Sequence, residues 1–150
     1  VTYAFGTKST LVAALLERES ARAVEAAWAA PLAEETLESA VAAALRAYLD
    51  DVRADPRRHE CLAELTILAR SSGEPADAAA IESAAALTEI GARLEAWQSA
   101  RPAASVRDID VVAAAILATA DGLAQWWLAT RDDAHADAVI AVLARAFVTP

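Results

Sequence analysis

At 150 residues the chain is long enough for one domain with a single sizeable core, and nothing in it calls for a second. More than a quarter of it is alanine, with four glycines and five prolines, a composition that favours helices and excludes a strand-built fold. The net charge of −9, with Lys8 the only lysine, repels phosphate and excludes most of the surface as a nucleic-acid-binding face.

Gly6 breaks the opening segment, and Thr7 can cap a helix predicted over residues 7–29. Its apolar positions are Leu11, Leu15, Leu16, Val24 and Trp28, and Pro31 lies beyond its end. A second helix over 33–54 carries Leu37, Val41, Leu45, Tyr48, Leu49 and Val52 at i, i+3 and i+4 spacing, which makes one apolar stripe. Asp55-Pro56 supplies a cap and then a proline at the first helical position, where its missing N–H costs nothing, so a third helix over 56–71 meets the second at a sharp corner. Ser71-Ser72-Gly73 ends it, and Glu74-Pro75 opens a fourth helix bearing Ile81, Leu87, Ile90, Leu94 and Trp97, with Pro102 as its far limit. Ser105 followed by Asp108 resembles a capping box before a fifth helix over 106–130, and Asp132-Asp133 cap a sixth over 134–148. The expectation is an all-α domain of about six helices.

Charges interrupt every hydrophobic stretch before the roughly 18 to 20 residues that span a bilayer, so a soluble protein is expected. One cysteine, Cys61, permits no intrachain disulfide, and no signal-peptide pattern opens the chain; a cytoplasmic setting follows as an expectation. The opening valine and the lack of methionine add the expectation that the natural start is missing.

On the fifth helix, at 100° per residue, Ile109, Val112, Ile116, Leu123 and Trp127 share one face that reads as the domain's own core. Val111, Ala114, Ala118, Gly122 and Ala129 fall nearly opposite. Small side chains let helix axes approach closely, so this seam reads as a packing surface for a second copy of the chain. The sixth helix adds Val139, Ile140, Leu143 and Phe147 as one stripe, widened by Val142 and Ala146. The predicted interface is Val111, Ala114, Ala118, Gly122, Val139, Val142, Leu143 and Ala146, with the last two helices of each protomer forming an intersubunit four-helix bundle.

The segment Val1-Thr2-Tyr3-Ala4-Phe5-Gly6-Thr7-Lys8-Ser9-Thr10-Leu11 resembles the junction in TetR-family regulators where an aromatic pattern closing on Phe ends the recognition helix. In that junction the next helix opens with a small hydroxyl residue, then Lys and Leu. Asp121-Gly122-Leu123-Ala124-Gln125-Trp126-Trp127-Leu128 also looks like the penultimate, dimer-forming helix of many members. The pattern departs at its usual tyrosine position, which is Thr2 here, with Tyr3 one place later.

The resemblance implies that residues 1–6 end a helix-turn-helix head and that 7–150 form a ligand-binding and dimerisation domain. It implies a homodimeric transcriptional regulator, a repressor, that leaves its operator when a small apolar or aromatic effector enters. Thr2, Tyr3 and Lys8 become candidate DNA contacts, Lys8 at a helix N-terminus. The family pattern places a pocket among the first five helices, with Leu45, Tyr48, Leu49, Leu62, Leu65, Thr66, Trp97, Gln125 and Trp126 as candidate lining. The competing expectation is a helical interaction or carrier module that binds a hydrophobic ligand without DNA.

Catalytic signals are weak. His59-Glu60 begins like a zinc-protease helix, but Ala63 stands where the second histidine belongs, so His59 is read as a polar surface residue and no metal or cofactor is expected. Cys61 is read as a buried structural cysteine, with a thiol activated by Arg57, Arg58 or the helix N-terminus as the alternative. No phosphate loop, nucleophile elbow or paired Glu-x-x-His motif is present, and an enzyme is not expected. Trp28, Trp97, Trp126 and Trp127 fill either a core or an apolar pocket wall.

Overall fold

A computed structural model describes residues 8–29, 33–71, 76–101, 106 and 108–147, with the side chains of 8, 9, 69–71 and 76–82 outside the description. These residues form six helices and no strand: α1 (Lys8–Ala27), α2 (Leu37–Ala54), α3 (Pro56–Ser71), α4 (Ala76–Ser99), α5 (Ile109–Thr130) and α6 (Asp133–Arg145). The all-α class is as expected.

The helix limits follow from their caps. α2 was expected from residue 33 but starts at Leu37, because Thr36 Oγ1 accepts from the Ser39 N–H at 3.1 Å while Ser39 Oγ accepts from the Thr36 N–H. Asp55 closes α2 and caps α3, its Oδ1 accepting from the Arg58 N–H at 3.0 Å. A single residue at the joint explains the tight corner there. α5 begins three residues later than expected because Asp108 Oδ1 accepts from the Val111 N–H at 3.1 Å. The expected caps Thr7 and Ser105 lie outside the described residues. Asp132 caps α6 through the His135 N–H at 3.1 Å, and that helix ends at Arg145 rather than 148.

α2 is the central element: it packs against α1, α3, α5 and α6, while α4 packs against α1, α3 and α5. Val41, Leu49 and Val52 of α2 have no exposed surface, and with Leu45, Leu94, Ile116, Leu123, Trp127 and Ile140 they build the main core. Each such side chain stabilises the fold by roughly 1.5–3 kcal/mol relative to exposure. A smaller cluster of Ala40, Trp97 and Val106 lies beside it, where the Trp97 indole N–H donates to the Glu34 carbonyl at 2.9 Å.

α5 corrects one expectation from sequence. By length and composition it is apolar enough to cross a membrane, and only 28% of its most apolar stretch is buried within the fold. Its large side chains Ile116, Leu123 and Trp127 are nevertheless packed in the core.

Candidate functional site

A cavity of about 430 Å³ lies among α1 to α5. Each helix contributes one stripe. On α3 the lining positions are His59, Leu62, Ala63, Thr66 and Ile67, spaced i, i+3, i+4, i+7 and i+8. α5 turns Ile116, Leu117, Ala120, Asp121, Ala124, Gln125 and Leu128 toward the same space. Leu16, Val24 and Trp28 of α1 and Ile90 of α4 complete walls that are mainly hydrocarbon and aromatic. Alanines on every side except α6 keep the space open: Ala23, Ala27, Ala44, Ala86 and Ala120 each leave volume that a larger side chain would fill.

One wall is charged. Glu19 of α1 and Arg58 and His59 of α3 line the cavity, backed by Arg22 of α1 and Asp51 of α2. Arg22 Nη2 donates to both Asp51 oxygens at 3.0 and 2.9 Å, and Arg58 Nη2 donates to Asp51 Oδ2 at 2.8 Å. The hydrogen bond that Arg22 donates to Asp51 raises the Arg22 pKa above its ordinary value. His59 Nε2 stands 3.1 Å from both Asp51 Oδ2 and Arg58 Nη2. As an N–H it serves Asp51 and as a lone pair it serves Arg58, and it cannot do both at once. Its ring meets Tyr48 edge-on, with centroids 6.0 Å apart.

The structure sorts the residues expected from sequence. Leu45, Tyr48, Leu62, Thr66 and Gln125 line the cavity, although the Thr66 hydroxyl already donates to the Leu62 carbonyl of its own helix at 3.0 Å. Leu49, Leu65, Trp97 and Trp126 do not line it. Leu49 is sealed inside the main core, and Trp97 belongs to the smaller cluster, its N–H satisfied at Glu34. Leu65 falls off the α3 stripe, and Trp126 falls off the α5 stripe and packs half-buried against the core.

His59 is a second correction: it is buried and turned to the cavity rather than to solvent. Cys61 is a third, because it is exposed, off the inward stripe of α3. Glu19, Arg58 and His59 were missed as lining residues. Their meeting depends on how two helices, α1 and α3, pack, and the available signal was only an acid and two bases at stripe positions. Among the described residues no group of three His, Cys, Asp or Glu is placed to hold a metal ion.

The outer side of α5 and α6 is a different surface. Val111 and Val142 are 62% and 61% exposed, and Ala114, Ala118, Gly122 and Ala146 are exposed with them. A Cβ added at Gly122 would meet nothing within 4 Å. Val139 and Leu143, expected in the same patch, are half-buried and lean on the main core, so they join it only at its edge. Thr2 and Tyr3 lie outside the described residues; Lys8 opens α1, but its side chain is outside the description.

Comparison with known proteins returns no match: no family profile, curated protein or solved structure is similar to this chain at a significant level.

Proposed function

We propose that this chain is the effector-binding and dimerisation domain of a TetR-type, ligand-responsive transcriptional repressor acting in the cytoplasm. One observation carries the reading: α5 lines the cavity along one stripe and presents an exposed seam of small residues along another. A molecule seated against Ile116 and Leu117 acts on the same rigid helix that would carry a partner protomer at Ala114, Ala118 and Gly122. Occupancy therefore biases how two protomers sit, and with them two DNA-reading heads, of which residues 1–6 would be the end. The acidic charge of this domain assigns operator binding to those heads. The effector is apolar or aromatic, in keeping with the walls, and acts by binding alone, with no catalysis.

The test is a gel shift of the complete protein on its own upstream promoter region, with and without ligands that bind the cavity. Retarded DNA that is released by ligand supports the proposal. Ligand binding without any retardation would replace it with a hydrophobic-ligand carrier.

A further inference from the structure

The walls of the cavity are not equally held. Of the residues that line it, Ile67 of α3 and Asp121 and Gln125 of α5 are exposed, so the space meets solvent between these two helices. The main packing of α3 is on α1, α2 and α4, and that of α5 is on α2, α4 and α6, so the two walls do not brace each other.

α3 itself divides into an anchored part and a loose one. At its start Asp55 caps the helix, Arg58 Nη2 donates to Asp51 at 2.8 Å, and His59 is buried. Glu60 then pairs with Arg131, at the end of α5, at 2.6 Å. From Cys61 to Leu68 no residue is buried. Leu62, Ala63, Leu65 and Thr66 are only partly covered, and Ile67 and Leu68 are 64% and 61% exposed. The other four helices around the cavity each seal several apolar side chains in the core. A segment with few buried apolar contacts opens at the least cost, so α3 beyond Glu60 is the wall that yields first.

We propose that the second half of α3 is the lid of the cavity: it swings from α5 about its anchored start, admits a ligand past Ile67 and Gln125, and closes behind it. This rests on the cavity being a ligand site, as proposed above. The inward stripe of the lid, Leu62, Ala63 and Thr66, gains cover from an occupant, so a bound ligand holds it shut.

The test follows the neutral fluorescent probe N-phenyl-1-naphthylamine into and out of the full chain by stopped flow. Leu65 is partly buried on the lid and does not line the cavity. Leu65→Ala is expected to speed entry and escape alike, roughly three- to tenfold, the effect of losing part of one leucine's burial, with Kd changing by less than about twofold. Equal acceleration both ways is the mark of a door, because ligand passes it in both directions. Leu15→Ala removes a partly buried leucine of α1 that also stays off the cavity, and it is expected to leave both rates unchanged. Amide hydrogen exchange needs no variant: in the free protein the amides of residues 63–68 are expected to exchange at least roughly tenfold faster than those of 113–124 in α5. An unchanged escape rate in Leu65→Ala, equal acceleration by Leu15→Ala, or equal protection of the two segments overturns the lid and leaves the cavity as a ligand site. Failure of the probe to bind overturns both.

Discussion

On its inward face α5 carries Ile116, Leu123 and Trp127, each buried, whereas its outward face carries Val111, Ala114, Ala118 and Gly122, all exposed. Both faces are apolar, yet they obey different rules. The inward side chains are large and fill a shaped core, so their removal leaves a void. The outward ones are small and touch little in the protomer, so changes there cost it almost nothing unless another helix lies against them. Apolar character alone therefore does not make a surface part of the core; on this helix the large side chains are buried and the small ones exposed.

The sharpest way to break this contrast is Trp127→Ala. The indole is buried, its Nε1 donates to Asp133 Oδ1 at 2.9 Å, and the Arg131 guanidinium lies 4.7 Å from its ring centre. Loss of about 3–5 kcal/mol of stability is expected in urea unfolding. Ala118→Glu addresses the other face. Protomer stability should stay within about 0.5 kcal/mol, while self-association measured by sedimentation weakens at least roughly tenfold, since the helix pairing would bury two like charges. Unchanged association would remove the outward face from the dimer proposal.

A smaller effect separates helix propensity from packing. Gly122→Ala adds a methyl group that meets nothing in the protomer, so thermal unfolding at concentrations too low for association should show a gain of about 1 kcal/mol. The smallest effect concerns acid. Asp133 accepts from Trp127 Nε1 and from Arg53, which lowers its pKa below the ordinary 3.8. A lowered folded-state pKa contributes stability that is present above the unfolded value and lost as pH falls through the folded one. Asp133→Asn should accordingly flatten the dependence of stability on pH below 3.8 and leave the slope at neutral pH unchanged.

Helices were readable because their signals are local. Asp55-Pro56 marks the α2–α3 joint unaided, and the α5 core face follows from 100° periodicity. The start of α2 was misplaced because Glu34 and Glu35 suit a first helical turn as well as they suit the approach to a cap, and only the Thr36–Ser39 reciprocity decides. The cavity was half readable for a related reason. Leu62 and Thr66 share a face that sequence can count out, but which tryptophan turns inward depends on neighbouring helices. Trp97 is drawn to Glu34 and Trp28 to the cavity, with no difference in their own surroundings that foretells it. Asp51, Arg58 and Glu19 come from three helices, and no spacing rule joins them.

The turn from α5 to α6 has a consequence for solution behaviour. Arg131 adopts a left-handed backbone, φ 53° and ψ 31°, where glycine would fit without steric cost and arginine loses roughly 1–2 kcal/mol. Its side chain offsets that by stacking on Trp127 and pairing with Glu60 of α3 at 2.6 Å. The bend is thus held partly by an exposed ion pair. Added salt screens such a pair, so ionic strength weakens the tie between this turn and α3.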